Sequence, residues 1–237
     1  MPEFAAEILE IIQRTPNVKS FRFKTEDDVT FKAGQYFLLT IKVDGEDKTK
    51  PFSFSNSPTE KGYIEFTKRI TDSDFSSVLN GLKVGDKARI KMPYGSFTFE
   101  DEHEKIAFLS GGIGITPVRS MCKFAYDMGM SNHIMLLYGN NCAGDIVFKD
   151  DFDLMRDKDP NFHVIYILKQ FEEDLKIQGC KIGFINDTMI KEVIPDFDER
   201  VFYICGPPEM VGCLTAILRD SLNLPDSRIR TEKFAGY

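Results

Sequence analysis

Along the first hundred residues, apolar side chains recur at every second position in short runs separated by turn-forming residues. The runs at 8–12, 18–23, 35–41, 51–56, 63–67 and 88–91 read as strands, with breaks at Pro16, Gly34, Gly45, Gly62 and Gly85. A period of two marks a pleated element with one buried face, and several such strands at this spacing predict an antiparallel barrel or sandwich. One helical stretch, 75–82, interrupts them. Beyond the charged run EDEHEK at 100–105 the pattern changes. Continuous apolar runs at 106–109, 134–138, 163–168 and 201–204 alternate with helical segments at 117–128, 148–155, 186–193 and 208–218. Runs apolar on both faces, separated by helices, predict a parallel sheet covered on both sides. The expected architecture is an N-terminal antiparallel β-barrel domain over 1–101, followed by a C-terminal α/β Rossmann-like domain over 102–237.

The chain has 237 residues and 42% hydrophobic content, enough for two such domains. No run of about 18 apolar residues occurs, so no membrane-spanning helix is expected. The start, MPEFAAEILE, lacks the basic and apolar regions of a secretory signal, so a cytoplasmic protein is expected. Cys122, Cys142, Cys180, Cys205 and Cys213 make no C-x-x-C pair, which predicts free thiols and no metal site. A net charge of -7 without any lysine or arginine cluster excludes a nucleic-acid surface. His103, His133 and His163 fall at strand starts or loops and read as surface or capping residues.

Three short stretches carry candidate chemistry. FLSGGIGITPVRSM, 108–121, follows the first strand of the second half. Gly111, Gly112 and Gly114 allow a tight turn and close approach of a ligand, Thr116 is a candidate helix cap, and Pro117 suits a first helical turn. Strand, glycine turn and helix start together aim N–H groups at an anion. The spacing is neither G-x-G-x-x-G nor a nucleoside-triphosphatase loop. FYICGPPEM, 202–210, is a second strand-to-helix turn, with Cys205 at the strand end, Gly206 in the turn and Pro207 and Pro208 opening a helix. KPFSFSNSP, 50–58, alternates Phe52 and Phe54 with Ser53 and Ser55, as a half-buried strand does or as a strand that carries a flat aromatic ligand.

Taken in order, these segments resemble the ferredoxin–NAD(P) reductase superfamily, flavin-containing electron-transfer reductases that include cytochrome b5 reductase and the reductase parts of oxygenases. Lys50-Pro51-Phe52-Ser53 is similar to the family's Arg-x-Tyr-Ser flavin motif, and Ser76, Leu79, Leu82 and Gly85-Asp86 to its flavin-phosphate segment. Residues 111–117 resemble the nicotinamide-nucleotide pyrophosphate loop, with Ile115 inside it, and 205–208 resemble the Cys-Gly-Pro motif. The resemblance implies that Phe52 lies against the flavin ring and that Ser53 hydrogen-bonds near N5. It also implies that Lys50 holds the pyrophosphate with help from the start of the Phe75 helix, Ser76 and Ser77, and that Cys205 places the nicotinamide. Phe54, Ser55, Thr67 and Lys68 are counted in the same flavin site. Glu232 and Phe234 resemble a closing Glu-x-Phe near the flavin, and Tyr237 is a candidate ring cover. Three positions depart from the pattern: Lys50 replaces arginine, Phe52 replaces tyrosine, and Ser73 stands where the family has glycine.

The implied activity is hydride transfer from NADH or NADPH to FAD, with flavin mononucleotide the alternative, and then single-electron transfer to a separate acceptor. That acceptor is an iron–sulfur protein, a flavodoxin, a cytochrome or an oxygenase component. Asn140 and Asn141, without an arginine in YGNNCAGDIVF, point to NADH, with Lys149, Arg156 and Lys169 as other cations for a 2′-phosphate. Asp145 is expected to cap the helix at 148. Lys42, Lys48, Lys50, Lys68 and Arg69 form a candidate basic rim for an acidic carrier, while 44–48 otherwise reads as a solvated charged loop. The alternatives are a flavin- or nucleotide-binding redox sensor, an electron-transfer subunit of a larger complex, or an interaction protein without cofactor.

Overall fold

The computed structural model describes residues 2–26, 29–99, 103–169 and 180–234. The strands β1 (Glu3–Thr15), β2 (Val18–Lys24), β3 (Tyr36–Val43), β4 (Glu46–Ser53), β5 (Tyr63–Arg69) and β6 (Lys87–Tyr94) form one antiparallel sheet in the order β4-β3-β6-β1-β2-β5. Rings from the strands and from the segments between them fill the interior: Phe21 stacks on Phe66 at 5.2 Å between centroids, and Phe31, ahead of β3, on Phe54, just after β4, at 3.9 Å. The helix α1 (Asp74–Gly81) adds Phe75 and Leu79 to that core.

The second sheet is parallel throughout. It consists of β7 (Lys105–Gly111), β8 (His133–Asn140), β9 (Phe162–Leu168), β10 (Cys180–Ile182), β11 (Val201–Gly206) and β12 (Ile229–Lys233), in the order β10-β9-β8-β7-β11-β12. Helices α2 (Ile115–Asp127), α3 (Lys149–Lys158), α4 (Asp187–Val193) and α5 (Pro208–Ala216) cover it, and two apolar clusters fill its faces. From β7 the chain winds one way to β10 and then returns to add β11 on the other side of β7. The strand order therefore reverses between β7 and β11, and that reversal opens a crevice at their carboxyl ends.

Several local expectations change. The expected boundary between 101 and 102 lies outside the described residues. Residues 44–48 are not a loop: Asp44 and Gly45 take positive φ values of 53° and 83°, forming the two-residue turn of a hairpin, and β4 starts at Glu46. The charges sit there because β4 is at the edge of the sheet order, where charged side chains discourage pairing with other chains. The strand expected over 51–56 ends at Ser53, because Phe54 turns into the core. Thr116 does not cap α2. Gly114 occupies the cap position after a 3-10 turn at Gly112–Gly114, and the Thr116 hydroxyl bonds back to the Ile113 carbonyl at 3.2 Å. The strands β10 and β12 were not foreseen.

Candidate active site

The crevice at the strand reversal is a cleft of about 670 Å³. Gly111, Gly112 and Ile113 line it from the end of β7 and the turn after it, Asn140 and Asn141 from the end of β8, and Pro207, Glu209 and Met210 from the start of α5. The register places Ser110 opposite Cys205, so the two turns singled out in the sequence stand side by side. The glycines have separate reasons. Gly112 has φ +53, and a Cβ on Gly114 would meet the Cys205 carbonyl oxygen at 2.5 Å. Residues 114–117 are buried behind the cleft, so the ligand-facing part of this loop is shorter than the sequence implied. Asn140 is 7% exposed, and among the described residues neither its oxygen nor its nitrogen makes a hydrogen bond of good geometry, although the Tyr138 hydroxyl lies close enough to feel the amide. A buried amide in that state calls for a polar ligand, and a nicotinamide dinucleotide carries suitable donors and acceptors.

Asp145 lines this cleft instead of capping α3. The cap position is Phe148, in the left-handed region at φ 60°, without a side-chain cap bond. Residues 146–148 are buried, and Val147 N–H donates to the Tyr138 hydroxyl at 3.3 Å, which leaves the Asp145 carboxylate on the open side. Of the three cations considered for a 2′-phosphate, Lys149 is paired with Asp153, and Arg156 with Asp153 and Asp157. Lys169 lines the cleft, 5.5 Å from the centre of the Phe184 ring. Arg69, assigned to the basic rim, also lines the cleft from β5, its guanidinium 4.0 Å from where a Cβ on Gly112 would stand.

On the barrel side, Lys50 lies 5.4 Å from the Phe75 ring centre. Lys68 is held below the usual lysine range by burial and by the charge of Lys50 beside it. Two neighbouring cations near the start of α1 fit an anionic group such as a flavin pyrophosphate. Ser73, in extended backbone, caps α1 by accepting from Ser76 N–H at 3.4 Å, so no glycine is required at that position. The Ser76 hydroxyl is engaged with Thr71 at 3.0 Å, while Ser77 is exposed. Phe52 is half-buried against Phe66, 4.4 Å between centroids, and Pro51 and Ser53 beside it retain accessible surface.

Phe54 and Ser55 have none, at 0% exposure. The Ser55 hydroxyl donates to Glu65 at 2.7 Å, and Thr67 bonds Ser20 and Ser55. These three side chains support the site from behind and leave no surface for a ligand. Cys205 is likewise sealed at 0% exposure, its thiol raised well above the usual range by burial and by nearby Glu232. Glu232 stands opposite Cys205 in the register of β11 and β12, its own acidity weakened by burial, and Phe234 N–H donates to the Gly206 carbonyl at 3.0 Å. Tyr237 lies outside the described residues. Lys42 and Lys48 are paired with Asp47 and Glu46 on their own hairpin, so the five cations do not form one rim. His103, His133 and His163 lie at the amino ends of their strands, away from the cleft. Among the described residues all five cysteines are free, no cluster of three metal-binding side chains occurs, and no helix is long and apolar enough to cross a membrane.

Two family models match. The oxidoreductase FAD-binding domain covers residues 5–99, and the oxidoreductase NAD-binding domain covers 108–215. The chain is 30% identical over 219 residues to NADH-cytochrome b5 reductase 1 of Candida glabrata, covering 87% of this chain and 75% of that protein. It is 27% identical over 218 residues to the glycine betaine monooxygenase reductase subunit of Chromohalobacter salexigens, covering 90% of this chain but 59% of that one. The fold superposes with a TM-score of 0.85 on the flavohem-like FAD/NAD-binding domain of nitric oxide dioxygenase from Vibrio cholerae, at 20% identity over 97% of this chain and 98% of that one. The chain thus spans about six-tenths of the length of several curated relatives that it matches. With the two sheets, the glycine-lined crevice between β7 and β11 and both domain matches in agreement, the chain belongs to the ferredoxin–NAD(P) reductase superfamily.

Proposed function

We propose that this chain is an FAD-dependent NAD(P)H reductase that takes a hydride from a nicotinamide nucleotide in the cleft and delivers single electrons to a separate redox protein. The observation that carries this reading is the juxtaposition of two sites. A cleft with an unsatisfied buried amide opens at the strand reversal, and Arg69 reaches it from the strand that also carries Lys68. Bound flavin supplies the conversion between a two-electron donor and a one-electron acceptor. The protein holds and aligns. Lys50 and Lys68 hold the flavin phosphates, Phe52 backs the ring, and Ser53 offers its hydroxyl to the hydride-accepting edge. Asn140, Arg69 and the backbone of Gly111 and Gly112 receive the nucleotide. Cys205, Gly206, Glu232 and Phe234 shape the wall where β11 ends.

Asp145 favours NADH, because a carboxylate on the cleft wall accepts hydrogen bonds from ribose hydroxyls and repels a 2′-phosphate. The acceptor is a separate protein of the iron–sulfur, flavodoxin or cytochrome kind, consistent with a relative named as an oxygenase reductase subunit. Anaerobic mixing of the purified, FAD-loaded chain with NADH and, separately, NADPH tests the reading. Rapid loss of the flavin's visible absorption with NADH is expected. A flavin-loaded protein that neither nucleotide bleaches would leave a binding module in place of the reductase.

A further inference from the structure

The two sheets are joined by an ionic cluster built around one buried arginine and two partly buried carboxylates. Arg119, in the second turn of α2, is 4% exposed, and all three of its guanidinium nitrogens are engaged. One terminal nitrogen donates to the Ser55 carbonyl at 3.0 Å and to Glu60 Oε2, the other to Glu60 Oε1 at 3.2 Å, and Nε donates to Asp151 at 2.9 Å. The next residue, Ser120, donates its hydroxyl to the Asn56 carbonyl at 2.7 Å. Glu60 is fixed in turn by Ser57 N–H at 2.7 Å and the Tyr63 hydroxyl at 3.1 Å.

The position of this cluster gives it consequence. Ser55 is two residues beyond Ser53, and Arg119 is five residues beyond Gly114, on the helix that the glycine turn opens. One side chain therefore ties the strand end that faces the flavin to the turn that faces the nucleotide. Interfaces between domains of one chain are ordinarily yielding. A largely buried, bidentate arginine–carboxylate pair has a fixed planar geometry and is among the stronger directional contacts available. Hydride transfer needs its reacting atoms within about 3–3.5 Å, and a misplacement of about 1 Å from a remote change is able to cost on the order of 10²-fold.

We propose that Arg119, with Glu60, is a positioning pair that sets the alignment of the flavin-facing strand against the nucleotide-facing turn, and so governs the rate of hydride transfer and not the affinity for either cofactor. This inference rests on the reductase reading above. The test uses the full chain in two mild variants, Arg119→Lys, which keeps the charge and loses the fork, and Glu60→Gln, which keeps the shape and loses the charge. Stopped-flow bleaching at rising NADH separates the limiting rate from the dissociation constant. The expected result is a limiting rate lowered by about tenfold or more in Arg119→Lys and several-fold in Glu60→Gln, with nucleotide dissociation constant and flavin content within about twofold of wild type.

Amide hydrogen exchange gives a readout independent of turnover. Residues 55–60 and 116–121 should exchange faster in both variants, while β7 and β11 stay protected. Limiting rates within twofold of wild type in flavin-loaded variants would overturn the proposal. So would unchanged exchange, or loss of flavin from both variants, which would make the cluster a support for the barrel. A wild-type chain that NADH does not bleach is a different failure and removes the reductase reading itself.

Discussion

A single methyl group at Gly114 tests how closely the two cleft-forming turns approach. The Gly114 backbone lies in the ordinary right-handed region, at φ -59° and ψ -8°, so alanine meets no torsional obstacle there. The obstacle is contact. A Cβ would stand 2.5 Å from the Cys205 carbonyl oxygen, 2.5 Å from Gly206 Cα and 2.7 Å from Gly206 N. Ordinary contact begins at 3.4 Å, so the turns must part by 3.4 minus 2.5, or about 0.9 Å. The atoms in the way are backbone of β11, paired to β7 on one side and β12 on the other, and cannot swing aside as a side-chain tip does.

Overpacking of this kind costs about 1–3 kcal/mol. At roughly 2–4 °C per kcal/mol for a chain of this size, Gly114→Ala should lower Tm by roughly 2–12 °C. The same separation disturbs the crevice wall, so NADH titration of the variant should show weaker binding. Gly112 supplies the contrast. With φ +53 and nothing nearer than the Arg69 guanidinium at 4.0 Å, its obstacle is backbone conformation alone. Gly112→Asn should therefore be more stable than Gly112→Ala, because asparagine tolerates the left-handed region, whereas at Gly114 asparagine should be no better than alanine. Scanning calorimetry on the four variants decides it. A Gly114→Ala protein with wild-type Tm and NADH affinity would refute the close-approach argument.

Other outcomes follow from the same site. Lys50→Gln should weaken FAD by about 1.5–3 kcal/mol, roughly 10- to 150-fold, as seen by equilibrium dialysis, since a charged hydrogen-bond donor is replaced by a neutral one. Ser53→Ala should retain flavin and slow anaerobic bleaching by about tenfold, the worth of one hydrogen bond made in the transition state. Asp145→Ala should raise the kcat/KM ratio of NADPH to NADH by about tenfold or more through loss of like-charge repulsion. Burial works to raise the pKa of Glu60, yet the Arg119 bonds and charge outweigh it and hold the carboxyl below its ordinary 4.5. The unfolded chain then binds the extra proton first, so the clamp's contribution is full above about pH 4.5 and is lost as pH falls below it. Urea midpoints measured between pH 7 and pH 3 should drop at the acid end, and less so in Glu60→Gln.

The fold was legible because its two halves use different hydrophobic periods. Alternation in β3 and β6 and continuous runs in β7, β8 and β11 each follow from how many faces a strand buries. What escaped has physical reasons. The last strand, β12, is paired in register on one side only, so its sequence IRTEK carries little apolar signal, and β10 is three residues long. Asp145 was misjudged because an acidic residue before a helix suggests a cap, and the competing anchor, the buried segment 146–148, is tertiary. Arg69 and Arg119 were unreadable in role: an arginine's destination depends on which sheet it faces, and nothing local in the sequence encodes that.

The segment KPFSFSNSP shows how one pattern can carry two functions. Its alternation holds through Ser53, where the strand ends with Lys50, Pro51, Phe52 and Ser53 still accessible. From Phe54 to Ser57 every side chain is buried, three of the four being polar, and buried polar groups need partners. Those partners are Glu65 and Thr67 within the barrel, while the Ser55 and Asn56 carbonyls receive Arg119 and Ser120 from the other sheet. The serines that suggested contacts for a ligand are thus divided between a ligand-facing end and an inter-sheet joint only two residues apart. A substitution at Ser55 should consequently disturb electron transfer without touching flavin, and its effect should track that of Glu60→Gln more closely than that of Ser53→Ala.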